Sequence, residues 1–304
     1  MRSMRWNRLF VFFAALLFAP ILMAQALPAD TAQSPADIAA ATAWDKAAKA
    51  MQAGPRTLDL RGQATLKLPE GYGYIPTAEA TALMEAMGNS SDPNFVGLIV
   101  PTAEANGDGW MVSVDYNPAG YINDDDAKHW NADELLESIK EGTEAGNKRR
   151  QQMGIPALEV TRWIEAPSYD STTQRLVWSA EARNKGAPAS DDATVNYNTY
   201  VLGREGYVAL NLITSASAVE SQKPMARTLL RQVAFIDGKR YADFDASSDK
   251  VAGYGLAALI GGVAAKKLGL FALIAAFFAK SFKLVIFGLI AAATALKSYF
   301  TRKG

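Results

Sequence analysis

The sequence VNYNTYVLGREGYVALNLIT, residues 195–214, decides the fold. Two runs rich in Val, Tyr, Thr, Leu and Ile flank the turn-forming residues 203–206 (GREG). β-Branched and aromatic residues favour strands, and a short glycine-containing turn between two such runs is typical of a β-hairpin. We therefore predict two antiparallel strands, at residues 195–201 and 207–214.

Further strand signals lie upstream of this hairpin. They occupy residues 57–68, 95–100, 110–116, 158–166 and 174–182. The first run, TLDLRGQATLKL, alternates around a break at Arg61 and Gly62, which predicts a hairpin of its own. The next two runs flank an Asn-Gly-Asp-Gly sequence and predict another. Residues 69–74 (PEGYGY) have a turn composition.

Helix signals separate these strands. Asn131 and Glu134 match a capping box, and the helix that it begins is predicted to end near Met153. Shorter helices are predicted at residues 77–87 and at residues 217–233, the latter interrupted at Pro224. Weak helical periodicity begins at about Pro35, and a polar connector follows at residues 237–250.

This order of elements predicts an α+β domain. We expect a largely antiparallel mixed sheet with three or four helices, followed by a C-terminal transmembrane helical tail. The predicted divisions are a signal peptide at residues 1–26, a flexible leader or helix at 27–53, a periplasmic α+β domain at 54–250 and a membrane-anchoring helical tail at 251–304.

The tail prediction rests on composition. Residues 251–304 contain seven Lys or Arg and no Asp or Glu, and they are otherwise almost continuously apolar. Within the tail, residues 268–296 form a predominantly apolar stretch of 29 residues. At about 1.5 Å per helical residue, this is longer than the roughly 30 Å hydrocarbon core of a bilayer.

Charged and small residues in the tail are the candidate membrane-interaction residues. Lys280 and Lys283 would lie near the midpoint of a single span, where a charge costs about 2.5–3.5 kcal/mol. A single span, a hairpin turning at these lysines and helices lying in the interface all remain open. The candidates are Lys266, Lys267, Lys280, Lys283, Lys297, Gly261 and Gly262.

The N-terminus resembles a secretory signal. Three arginines among the first eight residues precede the apolar residues 9–23, and residues 24–26 (AQA) provide small residues for a signal peptidase. An uncleaved N-terminal anchor is the rival interpretation. We expect the body in the periplasm, the tail in the inner membrane and, from the positive-inside rule, the C-terminus in the cytoplasm.

Charge is divided unevenly between the body and the tail. Residues 27–250 hold 31 acidic and 21 basic residues, a net charge of −10, whereas residues 251–304 carry +7. An acidic body is unsuited to nucleic acid, and a basic tail suits a lipid bilayer with anionic headgroups. The absence of cysteine excludes disulfides and thiolate chemistry.

Three segments are similar in sequence to a known family: residues 120–141 (GYINDDDAKHWNADELLESIKE), residues 195–212 and residues 238–262 (GKRYADFDASSDKVAGYGLAALIGG). Together with the lysine-spaced tail, they resemble the bacterial membrane-anchored family of the domain of unknown function number 2167. The resemblance runs from about Gly54 to the C-terminus. It implies an exported domain with a C-terminal anchor and brings no catalytic residues.

Motifs for chemistry are weak in this sequence. Three consecutive aspartates, residues 124–126, cannot all face one ion, and His129 is the single histidine. Four glutamates near predicted strands offer a paired-carboxylate alternative: Glu159, Glu165, Glu181 and Glu205. Strand aromatics suit core packing or, alternatively, a peptide- or glycan-binding face. We identify no catalytic, cofactor-binding or metal residue.

The function expected from these observations is that of a non-enzymatic envelope protein. Its periplasmic domain would bind a protein or another envelope component while the tail holds it in the bilayer. One alternative is an oligomeric membrane assembly or transport accessory, self-associating through the glycines and lysines of the tail. A carboxylate-dependent hydrolase is the other alternative.

Overall fold

The computed structural model describes residues 35–87, 89, 91–102, 110–152, 156–188 and 193–261. The α-helices are α1 (Pro35–Ala50), α2 (Thr77–Ala86), α3 (Ala132–Gln152) and α4 (Val219–Arg231). The strands are β1 (Gln52–Ala53), β2 (Arg56–Leu60), β3 (Ala64–Leu68), β4 (Tyr72–Pro76), β5 (Phe95–Pro101), β6 (Met111–Asn117), β7 (Leu158–Asp170), β8 (Arg175–Asn184), β9 (Thr194–Leu202), β10 (Tyr207–Ser215) and β11 (Val233–Phe235).

The predicted hairpin forms the middle of a large antiparallel sheet. β9 and β10 pair with Asn198 opposite Asn211, and the eight strands follow the order β1-β4-β5-β6-β10-β9-β8-β7. A Cβ on Gly206 would lie 2.0 Å from the carbonyl oxygen of Asn117, so the turn requires glycine. A second sheet has the order β11-β3-β2. The α+β class with a large antiparallel sheet is thus confirmed.

One face of the large sheet packs on α4 and the small sheet. Alternate residues of β10, Val208, Leu210 and Leu212, are fully buried in this core with Leu229 of α4 and Leu66 of β3. Alternation with period two places such residues on a single face. Pro224 lies inside α4, which continues from Val219 to Arg231, so the predicted interruption of this helix is wrong.

The opposite face is covered at its two ends by different elements. At the β4–β5 end, Leu83 of α2 and Ala47 of α1 pack on Ile75 and Leu98. At the β7–β8 end, helix α3 and a C-terminal segment, residues 251–261, cover Leu176 and Trp178 together with other apolar side chains. These two covers leave the central strands between them.

The predicted turn at residues 69–74 is partly wrong. Gly71 makes the turn with φ +85°, and the chain then continues as β4, in which Tyr74 pairs with Ile99 of β5. This pairing is non-local, so the turn-like composition of residues 69–74 did not reveal it.

The connector at residues 237–250 is packed against the domain. The ring of Tyr121 stacks on Phe244 at 3.8 Å and on Tyr241 at 4.5 Å. The guanidinium of Arg204 donates to both carboxylate oxygens of Asp249, at 2.7 and 2.8 Å. Two parallel bonds of this kind fix orientation as well as distance.

Packing of the folded domain continues past residue 250. Val251 forms a parallel bridge with Tyr121, and Leu256 and Ile260 are fully buried in the core formed with α3. In the described ranges, no helix is long and apolar enough to cross a membrane. The predicted signal peptide at residues 1–26, residues 27–34 of the leader region and tail residues 262–304 lie outside the described residues.

Candidate functional site

The row of residues that crosses the large sheet through Asn198 changes from apolar to polar and back. Leu98, Ser113, Asn211, Asn198 and Trp178 are successive register partners on β5, β6, β10, β9 and β8. The two outer members belong to the covered ends of this face, and the three inner members are polar. Polar side chains on three neighbouring central strands are unlike a packed core, where a polar group without a partner is costly.

Two neighbouring residues extend the polar part of this row. Asp115 lies two residues beyond Ser113 on β6, and Asn196 lies two residues before Asn198 on β9. We call Ser113, Asp115, Asn196, Asn198 and Asn211 the central strip. Two members, Ser113 and Asn211, are buried, and the other three are half-buried.

Hydrogen bonds link several members of the central strip. The Ser113 hydroxyl donates to Asp115 Oδ2 at 3.2 Å, and Asn198 Nδ2 donates to the backbone oxygen of Asn196 at 3.1 Å. A weaker contact of 3.5 Å joins Asn211 Nδ2 to Asn196 Oδ1. Three carboxamides and a carboxylate together supply donors and acceptors in close spacing. The arrangement is suited to hydrogen-bonding a polar ligand.

Asp115 is the electrostatically unusual member of the strip. Burial raises the pKa of its carboxyl to about 7, the negative charge of Asp92 adds to this rise, and the hydrogen bond from Ser113 opposes it. Burial disfavours the charged form of an acid, which is the direction seen here. Asp115 can therefore exchange a proton near neutral pH.

Tyrosine side chains adjoin the strip on the same face. Tyr200 is the register partner of Ala209, which itself pairs with Asp115, and its ring meets that of Tyr207 edge-on at 5.8 Å. Burial is the main cause of the raised pKa of both phenols. These two tyrosines thus contribute to packing, as predicted for strand aromatics, and they also border the central strip.

The three consecutive aspartates serve three separate roles. Asp124 accepts a hydrogen bond from the Tyr169 hydroxyl at 2.7 Å, and Asp125 pairs with Lys128 at the surface. Asp126 accepts from the backbone N–H groups of Leu256 and Ala257, at 3.1 and 3.0 Å. Within the described ranges, no group of three His, Cys, Asp or Glu side chains is arranged to hold a metal.

His129 is exposed and follows a short 3-10 helix, Asp125–Lys128, where its backbone N–H donates to Asp126. Its side chain lies outside the central strip. The structure gives this residue a place in a turn.

Two of the candidate glutamates are held in separate ion pairs. Glu181 is buried between Arg162 and Arg183, at 2.8 and 2.7 Å. Glu205 pairs with Lys239 at 2.7 Å. Each carboxylate therefore has a charge partner of its own.

Glu165 lies in a surface depression of about 450 Å³ beside α4. It pairs there with Arg227 and accepts a hydrogen bond from the buried Tyr197 hydroxyl at 3.2 Å. The fourth candidate, Glu159, is exposed on β7.

Most of the predicted membrane-interaction residues cannot be placed. Lys266, Lys267, Lys280, Lys283, Lys297 and Gly262 lie outside the described residues. Gly261 is described: it is buried at the end of the C-terminal segment, and its N–H donates to Ala257 at 3.0 Å. A contact of this glycine with lipid or with a second copy stays a prediction.

Comparison with known families confirms the resemblance. Residues 52–293 match the family described as "Protein of unknown function (DUF2167)". This chain belongs to that family. The match includes both the folded domain and most of the apolar tail, so family membership extends over the two parts together. No curated protein matches the sequence.

Two solved structures show remote similarity to this DUF2167 protein. The solution structure of PsbP (CyanoP) from Synechocystis sp. PCC 6803 has 12% identity and a TM-score of 0.35, covering 62% of this chain and 93% of that one. The Saccharomyces cerevisiae Ran-binding protein Mog1p has 10% identity and a TM-score of 0.33, with 64% and 100% coverage. Similarities at this level carry no argument about function.

The central strip was missed in the sequence. Its signal is present in VNYNTYV and ALNLI, where asparagines occupy positions that share one face of a strand. Assigning alternate residues of the two strands to opposite faces would have placed Asn196, Asn198 and Asn211 together on the face opposite the apolar residues. The partnership with Ser113 and Asp115 depends on strand order, which the sequence does not state.

Proposed function

We propose that this protein is a membrane-anchored envelope protein whose exported domain binds a protein or another envelope component. In this proposal the apolar tail holds the chain in the inner membrane, with the domain in the periplasm. The half-buried Asn196 and Asn198 of the central strip are the side chains that contact the partner in this proposal, and the buried Ser113 and Asn211 support them from below. The oligomeric-assembly and hydrolase alternatives remain predictions without a favouring contact in the described residues.

The packing of the C-terminal segment is the observation that carries this proposal. Residues 251–261 are built into the core beside α3, immediately before the acid-free apolar residues 262–304. Asp126 caps the segment from a distant part of the chain, and Leu256 is fully buried. The folded body therefore extends to the residue immediately before the apolar tail sequence, as suits a domain held close to a surface.

The family match supports the same proposal. It continues beyond the folded domain to residue 293. The part of the tail that the match includes carries four basic residues and no acidic residue, which suits a bilayer with anionic headgroups.

Membrane fractionation tests the anchoring. The full chain should stay in the membrane pellet after an alkaline carbonate wash, and a chain ending at Gly261 should move to the soluble fraction. This cut keeps the C-terminal segment, so the domain itself is preserved. Recovery of the full chain in the wash, or of the truncated chain in the pellet, would contradict the proposal.

Crosslinking in membranes tests the binding surface. An Asn196→Ala, Asn198→Ala double variant should lose partners that the native chain captures, because it removes the two half-buried carboxamides of the strip. Gln151→Ala, at an exposed position on α3, is the control. Equal capture by all three chains, as measured by quantitative mass spectrometry, would argue against the strip.

A further inference from the structure

A row of basic residues lies along one face of α4. Lys223, Arg227 and Arg231 follow at intervals of four residues and line the depression of about 450 Å³ together with Glu165 and Glu220. Residues four apart on a helix share a face. The lining therefore holds three cations and two anions, in a body whose overall charge is strongly negative.

Two of these cations are held in place by neighbouring groups. Lys223 lies 2.6 Å from Glu220 and 3.6 Å from Glu165, and only 13% of its side chain is exposed. The Nε of Arg227 donates to the Tyr197 hydroxyl at 2.7 Å, and its Nη2 pairs with Glu165. Cations fixed in this way lose little freedom when a ligand arrives.

The third cation of the row has a neutral partner. Arg231 is exposed and donates from Nη2 to the Thr228 hydroxyl at 2.8 Å. Among the described residues, no carboxylate forms an ion pair with its guanidinium. A guanidinium presents paired donors that match a carboxylate or phosphate. Arg231 is therefore the position at which an anion would be recognised.

A second arginine strengthens the positive potential near Arg231. Arg175 donates to the backbone oxygens of Thr173 and Val233, at 3.3 and 3.4 Å. Burial lowers the pKa of Arg175, Asp170 partly offsets this, and the positive charge of Arg231 lowers it further. Two guanidinium groups that repel each other gain from an anion placed between or beside them.

We infer that the α4 depression is a binding site for a ligand bearing a phosphate or carboxylate group, with Arg231 as the main contact. Arg227 and Lys223 supply additional positive charge, and Glu165 limits it. This site is on the α4 side of the sheet, opposite the central strip. The inference does not depend on the membrane anchor.

Calorimetric titration of the full chain in a neutral detergent tests this inference. The probes are inorganic pyrophosphate and citrate, which separate phosphate from carboxylate recognition. We expect at least one probe to bind. Arg231→Gln should weaken that binding roughly tenfold or more, since it removes a charged hydrogen-bonding group. The affinity of Arg231→Lys should lie between those of the native chain and Arg231→Gln, because lysine keeps the positive charge but lacks the paired donors of the guanidinium.

A substitution with the opposite effect and a matched control sharpen the test. Glu165→Gln keeps an acceptor for Tyr197 and Arg227 but removes the competing negative charge, so it should tighten binding several-fold. Arg240→Gln, which removes an exposed arginine paired with Asp237, should leave affinity unchanged. Thermal unfolding of each variant checks that the fold persists.

Two results would overturn the site. One is the failure of both probes to bind the native chain. The other is equal affinity in the Arg231→Gln and Arg240→Gln variants. A chain that binds pyrophosphate normally but is washed from membranes would instead refute the anchor and leave this site standing.

Discussion

Gly255 is the residue at which one added methyl group tests the cap on the C-terminal segment. An alanine Cβ there would lie 2.3 Å from Asp126 Oδ2, whereas one at Gly253 would meet nothing within 4 Å. Gly255→Ala should therefore displace the carboxylate that caps residues 256 and 257, and lower stability by about 1–2 kcal/mol. Gly253→Ala is the matched control in urea unfolding. Equal midpoints would show that the cap contributes little.

Arg150 carries a charge for which the described residues supply no counter-charge. Its side chain on α3 is 2% exposed, and both terminal nitrogens lack a partner among the described residues. Burial lowers the pKa of this guanidinium to about 10. Arg150→Met should raise the free energy of unfolding by roughly 1–3 kcal/mol, since it removes a buried unpaired charge. A loss of stability in chemical denaturation would contradict this account.

The raised pKa of the Asp115 carboxyl predicts a particular dependence of stability on pH. Its pKa is about 7 in the folded protein and 3.8 in the unfolded reference, so between these values only the folded state keeps the proton. Stability should therefore fall as pH rises from about 4 to about 7. Asp115→Asn should flatten this part of the profile and stabilise the protein at pH 8 by roughly 1–3 kcal/mol.

Asp92→Asn provides the companion measurement. Asp92 contributes to the raised pKa of Asp115 by charge repulsion, so its neutralisation should shift the fall in stability to slightly lower pH. If Asp115→Asn has the same pH profile as the native chain, Asp115 does not titrate in this range.

Single residues in the sequence revealed part of these features. Asn131 was predicted as a helix cap, and its Oδ1 does accept from Asp133 N–H at 2.9 Å. Asp126 could not be identified in the same way, because its partners lie about 130 residues further along the chain. Local spacing predicts contacts within one turn, and long-range caps follow only from the fold.

At the scale of elements, the C-terminal segment decides where the domain can be cut. A chain ending at Lys250 loses Leu256, Leu259 and Ile260, all buried. Their burial is worth roughly 5–9 kcal/mol in transfer free energy, comparable to the stability of a typical domain. We expect this chain to unfold and a chain ending at Gly261 to remain folded. Circular dichroism and limited proteolysis distinguish the two, and equal protection would contradict the prediction.

Elements with local partners were predictable from sequence, and elements with distant partners were not. The β2–β3, β5–β6 and β9–β10 hairpins each join neighbouring runs. By contrast, β11 pairs with β3 across most of the domain, and β1 has only two residues. Short strands of this kind carry little periodicity, so their existence depends on the sheet edge that they join.

At the scale of the whole molecule, the large sheet connects the two cores on its faces. Leu229 lies in the core beside α4 and Leu256 in the core beside α3, and both are fully buried. Leu229→Ala and Leu256→Ala should each lower the free energy of unfolding by about 2–5 kcal/mol. Both should lower the midpoint temperature of one shared cooperative transition. Differential scanning calorimetry checks this. A second transition, moved by only one substitution, would show that the faces unfold separately.

The edges of the large sheet bear on how copies of the chain behave when crowded. Strand β7 has three register shifts along its pairing with β8, and β1 at the other edge spans only Gln52–Ala53. Bulges and short edge strands block the addition of a further strand from another chain. If the proposed anchor concentrates copies in a membrane, these edges would let them lie side by side without growing into fibrils, and any assembly between them would have to form through other surfaces.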